Sequence, residues 1–157
     1  MTWAEFVAAA PELAEDGRAL LYQYGVGLAF LATVRADGGP RTHPMCPLVS
    51  DRGLFAFLIP SPKRVDLVRD ARYAMHSFPA ENNEDAFYLT GRARPVADDV
   101  ARDELGAQFL AERTIPEPPP DFHEQELFEF HIDRCMLTRT TAHGDPHPRH
   151  TVWRSPS

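Results

Sequence analysis

Apolar residues first recur at helical spacing. Trp3, Phe6, Val7 and Leu13 predict a short helix over residues 2–15, and Pro11 interrupts its second half by removing a backbone donor. From Gly25 the period changes. Residues 28–34, Leu-Ala-Phe-Leu-Ala-Thr-Val, are apolar on both faces and predict a strand covered on both sides. Asp37-Gly38-Gly39-Pro40 reads as a hairpin turn. Residues 41–49 follow as a second strand, which Pro44 and Pro47 mark as an edge or irregular one. Asp51-Arg52-Gly53 is a second turn and residues 54–59 a third strand, giving a meander.

Ser61-Pro62-Lys63 then opens a helix to about residue 70, with Ser61 as N-cap and Pro62 at the first helical position. Val65 and Val68, three apart, are expected to face the barrel. Residues 72–78 form a fourth strand and residues 82–85 a polar turn. In a fifth strand, residues 86–96, Phe87, Leu89 and Ala93 alternate with Tyr88, Thr90, Arg92 and Arg94. Asp98 or Asp99 caps an amphipathic helix to about residue 113, and the prolines of 116–120 make a stiff loop. The last long strand is 127–139, where Phe128, Phe130 and Ile132 alternate with Glu129, His131 and Asp133. From His143 the chain is polar and is expected to be a mobile tail, with Trp153 its one large apolar residue.

These elements predict a mainly β fold with flanking helices. It is a six-stranded antiparallel barrel, closed or nearly so, over residues 1–142, followed by a tail at 143–157. One barrel interior cannot bury both faces of the first strand, so a second layer or a partner subunit is implied.

Length and charge narrow the function. The 157 residues suit one domain, and no apolar run approaches the roughly 20 residues of a membrane span. The first seventeen residues carry four acids and no base, so no export signal is expected. Cys46 and Cys135, the only cysteines, suit a reducing cytoplasm. The net charge of −7 argues against nucleic acid. Residues 35–94 nevertheless carry nine basic and seven acidic side chains, a net of +2, leaving −9 elsewhere. A mildly basic middle in an acidic chain suits a small anion. Lys63 is the single lysine among sixteen basic residues.

The chemistry concentrates at Ser61-Pro62-Lys63-Arg64. A helix N-terminus is electropositive and favours acidic residues, yet two basic side chains stand here. An anion would turn this arrangement into a phosphate cradle of hydroxyl, N–H groups and ammonium. In a meander, Arg41 would start the strand beside the third one and could grip the same phosphate through both arms of its guanidinium. Other candidates are weaker. The histidines at 143, 147 and 150 lie in no regular element that would fix a metal, and no metal site is expected. No activating constellation surrounds Cys46, and Gly25-Val-Gly27 is not a dinucleotide fingerprint.

Three segments carry a family resemblance. They are Leu31-Ala-Thr-Val34 with Pro40-Arg41-Thr-His-Pro44; Ser61-Pro-Lys63 with Asp66-Leu67-Val-Arg-Asp70 and Arg72; and Leu89-Thr-Gly91-Arg-Ala-Arg94. Over residues 20–97 the chain resembles the pyridoxamine 5′-phosphate oxidase-like flavin-binding split barrels. The resemblance implies a homodimer with flavin mononucleotide (FMN) in clefts between subunits. It implies Arg41, Ser61 and Lys63 on the phosphate, and the backbone around Ala56, Phe57 and Thr42 along the ring and ribityl chain; His43, beside Arg41, could touch the flavin or the substrate. It implies an oxidoreductase passing hydride or electrons to a small molecule, with no catalytic side chain assigned. The alternatives are a deazaflavin-dependent reductase, or a flavin- or haem-binding module without turnover. The chain ends Trp153-Arg154-Ser-Pro-Ser157, without the Arg-Leu-x-Pro-like ending of true pyridoxamine phosphate oxidases. Asp85 or Ala86 stands where those enzymes carry a glutamine that meets the flavin, so vitamin B6 oxidation is not expected.

Overall fold

A computed structural model describes residues 1–156. Two helices lead the chain, α1 (Trp3–Ala9) and α2 (Pro11–Leu21). Thr2 and Glu5 close a reciprocal capping box on α1. Pro11 therefore separates two helices instead of weakening one. At the first position of α2 its missing N–H costs nothing.

The strands are β1 (Ala29–Val34), β2 (Pro40–Met45), β3 (Leu48–Val49), β4 (Leu54–Leu58), β5 (Arg72–Ser77), β6 (Ala86–Pro95), β7 (Glu126–Arg139) and β8 (Arg149–Arg154). Helix α3 (Pro62–Arg69) follows β4, and α4 (Asp99–Glu112) follows β6. Among the described residues the sheet has eight strands, not six. Its antiparallel order is β2-β1-β5-β6-β7-β4-β3, with β8 added to β7. Two corrections account for the difference. The run 41–49 breaks into β2 and β3 at Cys46-Pro47, where Pro47 lies so close to Gly27 that a Cβ there would sit 1.9 Å from the Pro47 carbonyl oxygen. The tail is not free: after the turn at 143–148 it returns as β8, pairing Trp153 opposite Cys135. Trp153 also packs on Phe6, ring centroids 4.8 Å apart. Strand β7 is long enough to hold β4 with its first residues and β8 with its last, while β6 runs along its other edge.

The curled sheet encloses the main core. Leu31, Met75, Phe87, Leu89, Phe128, Phe130 and Ile132 fill it, and Trp3, Phe6 and Leu21 close one end. Burying each such side chain contributes about 1.5–3 kcal/mol. A second cluster, Leu48, Phe55, Phe57, Leu105 and Leu127, lies under α4. All five residues of β4 are consequently buried, its alternate side chains serving the two cores. On β1, Ala29, Leu31 and Thr33 are buried, whereas Phe30, Ala32 and Val34 on the outer face remain half-exposed.

Helix α3 overturns one expectation. Val65 and Val68 are 67% and 66% exposed, and the helix buries Asp66 and Leu67 instead. The rotation of α3 is fixed by polar contacts: the Asp66 carboxylate accepts from the Thr33 hydroxyl at 2.9 Å and from Arg41 Nε at 2.7 Å. No described helix is long and apolar enough to cross a membrane.

Candidate functional site

Strand β2 and strand β4 do not pair. Arg41 belongs to a strand that pairs only with β1, at Thr33, so it reaches the α3 region by another route than the expected meander. Along β2, Arg41, His43 and Met45 share one face with Thr33, Leu31 and Ala29 of β1, while Pro40, Thr42 and Pro44 are exposed on the other. Helix α3 meets the first of these faces. Asp66 takes Arg41 in a salt bridge, and Lys63, one turn earlier, lies within electrostatic reach of Cys46 at the β2–β3 break. Along β2, His43 falls between these two contacts. Its Nε2 is buried and has no hydrogen-bond partner, the one such side-chain atom among the described residues.

Lys63 is half-buried and forms no ion pair among the described residues. Burial pushes its ammonium below the usual lysine range, with the neighbouring Cys46 acting weakly the other way. The adjacent Arg64 is engaged elsewhere: it donates to the Glu124 carbonyl at 2.9 Å and lies 3.5 Å from the Glu126 carboxylate. Helix α3 has no acidic residue in its first turn and no side-chain cap. The Ser61 hydroxyl donates instead to the Ile59 carbonyl at 2.8 Å. The N-terminus of α3 thus presents positive partial charge, an unpaired ammonium and a serine hydroxyl together.

Arg41 uses only Nε within the protein, leaving both terminal nitrogens without a hydrogen bond among the described residues. Burial raises the Asp66 carboxyl, but the Arg41 and Thr33 hydrogen bonds and the nearby Arg41 and Arg69 charges outweigh it and hold it below the usual carboxylate range. Asp66 was legible in the sequence only as part of a motif; no helical period announces a buried carboxylate whose partner lies 25 residues away.

Ala56 and Phe57 stand on β4, whose pairing with β3 stops at Phe55 and Leu54. Beyond it, the β4 edge facing away from β7 has no strand partner among the described residues. The Phe57 side chain itself points under α4, against Phe109 and Phe122. Any contact with a ligand from this pair is therefore through backbone. Thr42 sits on the face opposite Arg41 and His43. Two cavities lie elsewhere. One of about 630 Å³ is bounded by α4 and Pro118, Pro119 and Pro120, and one of about 600 Å³ lies between α1 and the β3–β4 turn. Among the described residues no cluster of His, Cys, Asp or Glu has metal-binding geometry.

No family model matches this sequence, and no curated protein matches it. Solved structures do. A protein related to general stress protein 26 (pyridoxinephosphate oxidase family) from Clostridium acetobutylicum superposes with TM-score 0.60 at 15% identity, over 96% of this chain and 95% of that one. A FAD-binding protein from Mesorhizobium loti gives 0.56 at 20% identity, over 69% and 82%. An F420 reductase gives 0.58 at 20% identity, over 69% and 87%. The fold is the split β-barrel of the pyridoxamine 5′-phosphate oxidase-like and flavin-binding proteins.

Proposed function

We propose that this protein binds a phosphate-bearing flavin, FMN in the simplest case, and passes hydride or electrons between it and a small molecule, as a cytoplasmic homodimer. The observation that carries the reading is Lys63: a half-buried ammonium without a carboxylate partner, at a helix N-terminus without acidic residues. A phosphate would satisfy both at once. Arg41 supports the reading with two free terminal nitrogens, and His43 with a buried ring nitrogen in want of a partner.

On this reading Lys63, Ser61 and Arg41 hold the phosphate. The unpaired backbone edge near Ala56 and Phe57, with His43 and the backbone of Thr42, lies along the ribityl chain and ring. When bound, the flavin supplies the hydride or electron chemistry at its ring. The protein supplies the anchor, an apolar surround and the exclusion of water, and no side-chain acid or base is required. The half-exposed outer face of β1, Phe30, Ala32 and Val34, supports a second copy as the missing cover.

A deazaflavin is the second reading, favoured by the shared fold of an F420 reductase. Both cofactors carry a phosphate next to a ribityl-type chain, so the same anchor serves either. Absorption and mass of the small molecule that co-purifies with the protein separate the two. A flavin or deazaflavin spectrum with the matching mass is expected. A Soret band would overturn the proposal, as would a colourless protein that binds neither cofactor on addition.

A further inference from the structure

Asp66 is 5% exposed, and a buried carboxylate is costly unless it has partners. Its partners are the Thr33 hydroxyl at 2.9 Å and Arg41 Nε at 2.7 Å, with Arg69 at 3.5 Å. The engagement of Arg41 is one-sided. A carboxylate commonly takes a guanidinium through two parallel bonds, and here it takes Nε, which is the inner nitrogen. The Arg41 side chain keeps 29% exposure against 7% for that of Asp66, so the pair opens to solvent on the arginine's side. Thr33 in turn is buried on β1, a strand paired on both sides, by β2 and β5, and fixes the second carboxylate contact to the sheet.

We propose that Asp66 is a positioning residue for anion recognition. It grips Arg41 from behind and thereby aims the two free terminal nitrogens at the phosphate that Lys63 meets from the helix end. This rests on the phosphate-binding reading above and adds a device to it. Arginine side chains carry large rotamer freedom, and ordering them in advance removes that cost from binding. The arrangement also explains why the middle of α3, and not its two valines, turns inward. The helix is rotated to deliver a carboxylate to β2.

The test is a double-mutant cycle on binding of FMN and riboflavin, which differ by the phosphate. Asp66→Asn is expected to weaken FMN by up to about tenfold, the scale of ordering one rotamer-rich side chain on binding, and to leave riboflavin within about twofold. In the Arg41→Ala background, Asp66→Asn is expected to change FMN affinity no further, because Asp66 acts through Arg41. That neutral pair also removes the unpaired buried charge, so it keeps the test readable if a single variant folds poorly. The inference is overturned if Asp66→Asn leaves the preference for FMN over riboflavin unchanged, since Asp66 then only seats α3. It is equally overturned if the loss is the same with and without Arg41. A wild-type protein that binds both flavins alike would overturn the phosphate-binding reading itself, and this inference with it.

Discussion

Lys63 and Arg64 are neighbours in the first turn of α3 with opposite commitments: Arg64 is tied to the Glu124 carbonyl and the Glu126 carboxylate, and Lys63 meets no acid. A general field effect would treat the two alike. The contacts say they differ. Lys63→Ala is expected to cost about 1.5–3 kcal/mol of FMN binding, the range for a charge-assisted bond, or roughly a 10- to 150-fold rise in Kd. Arg64→Ala is expected to act mainly on stability, by under about 1 kcal/mol, as a partly exposed pair does. Fluorescence titration and a melting curve for each variant check this, and equal losses of FMN affinity would remove Lys63 as the anchor.

The outer face of β1 leads to the second prediction. Phe30, half-exposed and stacked on Phe78 at 4.5 Å, is the largest apolar side chain on that strand's outer face. Light scattering is expected to give about twice the 17.6 kDa of one chain, and Phe30→Asp to shift the population toward monomer. A monomeric wild type at micromolar concentration would contradict the two-subunit site.

Acid should unfold the protein through its paired carboxylates, half-buried Asp85 and buried Asp66. Asp85 accepts from Arg139 at 2.7 Å and from the Thr140 N–H at 2.7 Å, bonds that hold its carboxyl below the usual range despite the opposing effect of burial. Asp66 behaves alike. A depressed folded pKa contributes stability that is fully present above the unfolded value, about 3.9, and lost as pH falls through the lower folded value. Melting temperature should therefore drop steeply below about pH 4. Asp85→Asn should be less stable at pH 7 and lose less on acidification. A parallel fall in both proteins would show that Asp85 contributes no such linkage.

The C-terminal strand divides the tail into two kinds of residue. Trp153 closes one end of the core against Phe6, so Trp153→Ala should cost about 2 kcal/mol, below the usual range for fully buried tryptophans because its ring is partly exposed. His147, exposed in the preceding turn, should be replaceable by alanine within about 0.5 kcal/mol. Thermal melts of the two variants measure the contrast.

Much of this was legible along the chain. The alternation of Phe87, Leu89 and Ala93, and of Phe128, Phe130 and Ile132, marks inward faces because a strand's period of two needs no partner to be read. Ser61-Pro62 located the start of α3 for equally local reasons. What stayed hidden is non-local. Val65 and Val68 satisfy a helical period, but Asp66 sets the rotation through residues on two other strands. Strand β8 is polar at most positions and owes its place to pairing with β7, which no pattern within residues 149–154 reveals. The separation of β2 from β4 follows from sheet order, whereas sequence neighbours suggested a simple meander.

The central claim is that the protein holds a flavin by its phosphate. Titration of the wild-type protein, stripped of any bound molecule, with FMN and with riboflavin under identical salt tests it most directly. The account predicts that FMN binds at least about tenfold more tightly, since one charge-assisted bond of this kind is worth that factor, and that added inorganic phosphate narrows the gap. Equal affinity for the two flavins, or an FMN preference that phosphate leaves untouched, would contradict it.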